Sequence, residues 1–231
     1  MIGIIAALKD EVRDIKNNMT QVETSEKAGM TFYKGMLYGK PVVAVMCGVG
    51  KVNAALCTQA LADLFNVDCV INVGVGGAVA KGLTVGDIVI SKDSVQYDMD
   101  ASAFGHPRGE IPNMDITFFP ADERLIKLAK EAAAQVGAAA LVGRVMTADL
   151  GVDSQALKQE LTELFGGACV EMEGAAVAHV AAKYGVPCVV LRAMSDNADE
   201  EAYDTLVVKE FDITEYCTTA ARICEDLISR L

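Results

Sequence analysis

Strand-like and helix-like patterns alternate along most of the 231 residues, and this alternation predicts an α/β fold whose mostly parallel sheet is covered by helices on both faces. Apolar runs at Ile2 to Ala6, Cys69 to Val73, Asp87 to Ser91, Leu141 to Met146 and Val186 to Met194 read as strands. Met30 to Leu37 and Pro41 to Met46 flank the turn Tyr38-Gly39-Lys40 as a hairpin, so mixed strand directions are expected at one end. Helical spacing marks Asp10 to Asn17, Val52 to Phe65, Asp122 to Val136, Ser154 to Phe165, Gly174 to Tyr184 and a final helix from Lys209 to Arg230. Tyr97 to Pro120 is the longest stretch without periodicity, and loops of that length in compact folds usually serve function or an interface.

With 52% hydrophobic residues and no Pro/Ser-rich divider, the chain reads as a single domain spanning 1–231. Its 20 Lys and Arg against 32 Asp and Glu give a net charge of −12, which would repel phosphate backbones and argues against nucleic acid as a partner. A small ligand fits better. Lys9, Asp10 and Glu11 interrupt the apolar N-terminus, so neither a signal peptide nor a membrane span is expected. The seven cysteines form no Cys-x-x-Cys pair, and Cys47, Cys69, Cys169 and Cys188 sit in or beside apolar runs; reduced thiols in the cytoplasm are the expectation.

Several familiar motifs fail on inspection. Gly48-Val49-Gly50-Lys51 lacks a glycine at Val45 and a Ser or Thr at Val52, so it is no phosphate loop. Gly74-Val75-Gly76-Gly77 has the first two glycines of a dinucleotide fingerprint, but the third falls at Val79; it reads either as a tight turn or as a glycine-lined ligand floor. His106 and His179 have no cysteine or carboxylate at metal-ligand spacing, and His179 reads as a hydrogen-bonded structural residue of its helix. No metal site is expected, and no Gly-x-Ser-x-Gly elbow supports a serine hydrolase.

What remains is a set of acids at strand ends, where open α/β sheets bind ligands. Asp196 follows the strand ending at Met194, Glu173 follows Ala168-Cys169-Val170, and Glu11 follows the first strand. In a parallel sheet these three carboxylates face one crevice. Each also has an ordinary reading: Glu11 and Glu173 as residues at helix N-termini, Asp196 as a turn former. Their coincidence favours a carboxylate-based active site, in which acid and base roles are divided by environment.

Four segments then carry a resemblance: Gly3-Ile4-Ile5-Ala6-Ala7-Leu8-Lys9-Asp10-Glu11-Val12, Gly48-Val49-Gly50-Lys51-Val52-Asn53-Ala54-Ala55, Val170-Glu171-Met172-Glu173-Gly174-Ala175-Ala176-Val177-Ala178-His179 and Arg192-Ala193-Met194-Ser195-Asp196. With Val85 to Val89 and Ala103-Phe104-Gly105, the chain resembles, over essentially its whole length, the 5′-methylthioadenosine/S-adenosylhomocysteine nucleosidases of the purine nucleoside phosphorylase superfamily. The resemblance implies a three-layer α/β/α fold with a mixed, partly barrelled sheet, hydrolysis of an N-ribosidic bond in methionine salvage, and no cofactor. It also implies that Asp196 protonates purine N7, that Glu11 activates the attacking water, and that Glu173 accepts hydrogen bonds from the ribose hydroxyls. Met172 would pack on the ribose, Ser195 and Arg192 would support the polar cluster, and Ala7, Gly76 and Gly77 would line the pocket. Val152 would meet the base through its backbone. Phe211 is a further substrate contact on the same basis.

The family forms homodimers in which the loop matching Tyr97 to Pro120 reaches the neighbouring pocket, so Phe104 and Pro112 are expected there, with Ile111 exposed beside them. Two positions depart from the family pattern: Gly151 stands where a phenylalanine usually stacks on the purine, and Val75 where many members have serine. A shifted base preference is one alternative that follows. Phosphorolysis is another, although Arg192 alone is a poor phosphate cluster; a non-catalytic nucleoside-binding module is the third.

Overall fold

The structure, a computed structural model, describes residues 1–203 and 213–231. In chain order its elements are β1 (Ile2–Ala6), α1 (Lys9–Asn18), β2 (Thr20–Lys27), β3 (Met30–Leu37), β4 (Lys40–Met46), α2 (Lys51–Phe65), β5 (Cys69–Ala78), β6 (Ile88–Gln96), β7 (Phe119–Pro120), α3 (Glu123–Val136), β8 (Ala140–Thr147), α4 (Gln155–Phe165), β9 (Cys169–Glu171), α5 (Gly174–Tyr184), β10 (Cys188–Asp196), α6 (Glu201–Tyr203) and α7 (Thr214–Arg230). The predicted helix from Lys209 is described from Thr214 onward; its first residues and Phe211 lie outside the described residues.

The sheet is mixed rather than mostly parallel. β1 pairs in parallel with β4 and β5, β10 with β5, and β8 with β6 and β9, whereas β2–β3, β3–β4, β5–β9, β6–β7 and β6–β10 run antiparallel. Two of these pairings close a ring. β5 joins β9 on one edge and β10 on the other, and β10–β6–β8–β9 completes a five-stranded barrel from which β1, β4, β3 and β2 extend as an open wing. Closure follows from the length of β5, ten residues, whose first half pairs with β1 and whose last two residues pair with β9.

Helices cover both faces, as the alternation requires. Val12 and Ile15 of α1, Leu125 and Ala129 of α3, and Ala220, Cys224 and Leu227 of α7 pack over Ile4, Ile71 and Leu191. On the other face Ala54, Cys57 and Leu61 of α2 and Ala176, Val177 and Ala181 of α5 meet Ile5, Val43, Val45 and Val70. The small residues of α5 let it lie close to the sheet. Leu161 and Phe165 of α4 close the barrel's outer side against Val95 and Met146. Asp122 and Ser154 accept the amides of Leu125 and Leu157 and so cap α3 and α4. All seven cysteines are buried and free, and among the described residues no helix is long and apolar enough to cross a membrane.

β5, β6, β8 and β10 all run past their sequence-predicted ends, and the extensions of β5 and β10 build the site. β5 continues through Gly74 to Ala78, so this glycine run is neither a tight turn nor the start of a loop. β10 continues to Asp196, with a bulge between Met194 and Asp196 that leaves Ser195 unpaired. The long stretch after β6 is partly packed: Gly109 N–H donates to Met99 O at 2.7 Å, and Ile111 and Met114 rest on the core. Ile111 is therefore not exposed as expected. Phe104, in a short 3₁₀ turn, is 84% exposed.

Candidate active site

A cavity of about 400 Å³ opens at the C-terminal ends of β1, β5 and β10 and is bordered by the loop 149–153 and the start of α1. Glu11, Glu173 and Asp196 all line it, as do Ala7, Gly76, Gly77, Met172, Val152 and Ser195. Arg192 does not reach its surface, and Phe104 and Pro112 of the same chain are not among its lining residues.

Glu11 both belongs to α1 and lines the cavity. Its Oε2 accepts the amides of Ala7 and Leu8, each at 2.8 Å, capping its own helix, while Oε1 accepts the amide of Val75 at 3.1 Å. Burial raises its pKa, and Arg192 together with those three amides works against the rise. The carboxylate needs room: a Cβ on Gly74 would stand 2.6 Å from Glu11 Oε1. Asp196 imposes the same demand at Gly77, where a Cβ would come within 2.7 Å of its Oδ1. The glycine run thus makes space for two acids, besides forming part of the cavity wall at Gly76 and Gly77.

The bulge at the end of β10 turns Asp196 into the cavity. Its Oδ1 accepts the Ala198 amide at 2.8 Å, the turn-forming bond anticipated from sequence, and its Oδ2 lies 2.8 Å from Ser195 Oγ. Ser195 Oγ is also 3.4 Å from the carbonyl of Gly76. A hydroxyl is both donor and acceptor, so Ser195 can donate to an ionised Asp196 or, by turning its proton to Gly76, accept from a protonated one.

Glu171, at the end of β9, organises the floor of the cavity. Its Oε2 accepts the amides of Glu173 and Gly174 at 3.0 and 2.7 Å, and its Oε1 accepts Thr147 Oγ1. It therefore caps α5, the task that position alone would assign to Glu173. Arg192, 1% exposed, donates to Glu171 Oε2 at 2.5 Å and to Asn72 Oδ1 at 2.7 Å, and lies 3.6 Å from Glu173 Oε2. One guanidinium is shared by three carboxylates. Burial opposes its charge, but Glu171, Glu173 and Glu11 hold its pKa above the ordinary value. Glu173, left free of capping, accepts the Gly50 amide at 2.9 Å. Burial and then the charge of Glu171 push its pKa up to about 7, against the pull of Arg192 and that amide.

His179 is only half satisfied: Nδ1 is 3.1 Å from Gln96 Nε2 and the ring stacks on Phe119 at 4.6 Å, while Nε2 is buried without a partner among the described residues. Beside Gly151 a Cβ would meet nothing within 4 Å.

The barrel and the acids at its strand ends define the class. The phosphorylase superfamily model matches residues 1–229, and the chain belongs to that superfamily. Within it the chain belongs to the family of the 5′-methylthioadenosine/S-adenosylhomocysteine nucleosidases: it is 37% identical to the enzyme of that name from Staphylococcus aureus over 232 residues, the whole of both chains. Among solved structures, the Neisseria meningitidis nucleosidase in complex with methylthio-immucillin-A superposes with a TM-score of 0.94 at 34% identity, covering 100% of this chain and 99% of that one. Futalosine hydrolase of Helicobacter pylori superposes with a TM-score of 0.93 at 35% identity, covering 100% and 97%. A Helicobacter pylori nucleosidase mutant with 5′-methylthioadenosine in its active site gives 0.93 at 35% identity, covering 100% and 98%.

Proposed function

We propose that this chain hydrolyses the N-ribosidic bond of 5′-methylthioadenosine and S-adenosylhomocysteine, releasing adenine, as in methionine salvage. Neutral adenine leaves far more easily than its anion, so Asp196 delivers a proton to N7 with Ser195 following the change in protonation. Positive charge growing on the ribosyl carbon is stabilised by the buried carboxylates of Glu11 and Glu173. Glu11 takes the proton of the attacking water on the opposite face, in the manner of an inverting glycosidase. Glu173 accepts the ribose hydroxyls, with Met172 against the sugar and Val152 beside the base.

The observation that carries hydrolysis over phosphorolysis is the occupancy of the backbone donors. The amides of Gly50 and Lys51, in the one glycine turn near the ribose site, are bound to Glu173 and Asp149, and those of Ala7, Leu8 and Val75 are bound to Glu11. An incoming phosphate would find carboxylates where it needs donors, and Arg192 is engaged below the floor. Adenine release from 5′-methylthioadenosine should be the same with and without inorganic phosphate, and Asp196→Asn should slow it by about 10²- to 10⁴-fold. Phosphate-dependent turnover, or an Asp196→Asn variant with more than a tenth of the wild-type rate, would overturn this assignment.

The open space at Gly151 supports a second reading, a shifted base or side-group preference, since stacking there is missing and an aromatic contact is worth about 0.5–1.5 kcal/mol. Comparing kcat/KM for 5′-methylthioadenosine, its hypoxanthine counterpart and futalosine decides between the two.

The functional unit we propose is a homodimer working in the cytoplasm, where free thiols persist. Val52 and Leu56 on α2 are 77% and 45% exposed, and Val49 and Leu150 combine exposure with a place on the cavity rim. A second copy covering this apolar surface would bring its Phe104 to the open side of the pocket.

A further inference from the structure

The chemistry described above uses three separate segments, and the side chains that hold those segments together lie outside the cavity. Asp98, just past β6, accepts Lys51 Nζ on Oδ1 at 2.7 Å and the Asp149 amide on Oδ2 at 3.1 Å. Asp149 in turn accepts the Lys51 amide on its own Oδ1 at 2.8 Å. Each of the three residues touches the other two. The ring reaches the site on two sides: Gly50, adjacent to Lys51, donates to Glu173, and Asp149 opens the loop that carries Gly151 and Val152.

The local geometry leaves little alternative. α2 begins at Lys51 with Gly50 as its N-cap, so it has no capping side chain of its own, and Asp149, distant in sequence, provides the acceptor that its first turn lacks. Gly50 has φ +100°, and a Cβ there would stand 3.0 Å from Asp149 Oδ1. The same turn is thus shaped by a glycine, fixed by Asp149 and aimed at Glu173. Tyr97 adds a second tie, its hydroxyl donating to Leu150 O at 3.3 Å.

We propose that Asp149, with Lys51 and Asp98, is a positioning residue of the reaction: one carboxylate outside the cavity sets both the amide that holds the ribose acceptor Glu173 and the backbone that meets the base. This rests on the roles given above to Glu173 and Val152. Loss of the tie frees the 48–51 turn and removes the Gly50 amide from Glu173. Around Glu173 that leaves, among the described residues, Glu11 of α1, Glu171 at the end of β9 and Cys47 after β4 facing the cation Arg192 of β10. The proton on Glu173 is then held more tightly, and ribose binding by the ionised form moves to higher pH.

The test compares wild type with D149A, D149N and K51M on whichever nucleoside the wild type turns over, measuring kcat and KM across pH and the thermal midpoint of each. Failure of the wild type on 5′-methylthioadenosine would count against the proposed function alone, because the ratio of variant to wild type is what tests the ring. For D149A, kcat/KM should fall about 10- to 100-fold, chiefly through KM, with its acidic limb displaced to higher pH. D149N keeps an oxygen for the Lys51 amide and should recover most of the loss. K51M keeps the amide but drops the ion pair, and should fall between the two with a smaller displacement. D149A within twofold of wild type and with an unmoved pH profile would overturn the proposal, as would a D149N as impaired as D149A. Should D149A fail to fold, K51M decides alone: an unmoved profile and a rate within twofold refute the ring, and the displaced limb supports it.

Discussion

At the scale of single residues, the site is a problem of one buried cation among three acids. Arg192 is in direct contact with Glu171 and near Glu173 and Glu11, so full ionisation leaves two uncompensated negative charges in a water-poor space. The pKa of Glu173 at about 7, against an ordinary 4.5, is the result. Its sign has two consequences. Because the folded state holds the proton more tightly than the unfolded chain does, the contribution of Glu173 to stability is fully present below about pH 4.5 and is lost as pH rises through about 7. Chemical unfolding from pH 5 to 8 should therefore show stability falling, with a shallower fall in Glu173→Gln; equal slopes would refute the assignment. The ribose binding proposed for Glu173 runs the other way, since the ionised carboxylate is the better acceptor, so kcat/KM should rise towards pH 7. The three principal acids were legible in the sequence because each follows a strand end. Glu171 was not: it is a second glutamate two residues before Glu173, and only the fold shows that Thr147, Arg192 and the α5 amides meet it.

At the scale of elements, apolar periodicity located β1, β3 and α5 to the residue and most other elements within a few positions. It failed where burial is one-sided or absent. β2 reads Thr20-Gln21-Val22-Glu23-Thr24-Ser25-Glu26-Lys27, and all eight residues are exposed, so no alternation marks it; only pairing to β3 makes it a strand. The C-terminal half of β5 was hidden for the opposite reason. Its glycines have poor strand propensity, yet here the strand is buried between β9 and β10, and the absent side chains leave space for Glu11 and Asp196. Gly77→Ala should accordingly cost about 1–3 kcal/mol in stability and displace Asp196, lowering turnover more than KM. A soluble Gly77→Ala enzyme with unchanged unfolding midpoint and turnover would show that the strand yields at no cost.

At the scale of the whole molecule, the wing of β1 to β4 and the closed barrel share β5, so the acid on α1 and the acid on β10 approach one cavity from opposite edges of a single strand. That arrangement leaves the cavity's rim apolar and open. If a second copy closes it, sedimentation at micromolar concentration should give twice the 24.4 kDa chain mass, and Phe104→Ala should raise KM without changing the mass. A monomer with full activity in Phe104→Ala would refute the assembly. Packing of the helices on the wing and barrel also hides all seven thiols: burial pushes Cys69 up to about 11 and Cys47, Cys188 and Cys217 up to about 12. A thiol reacts as its anion, and only after it reaches solvent. These cysteines are therefore seven internal clocks. Under native conditions an alkylating reagent should modify each only as fast as its surroundings open, and mass spectrometry of partly labelled protein should separate unmodified chains from fully modified ones if the fold opens as one unit, or reveal a ladder of intermediate masses if the wing opens before the barrel.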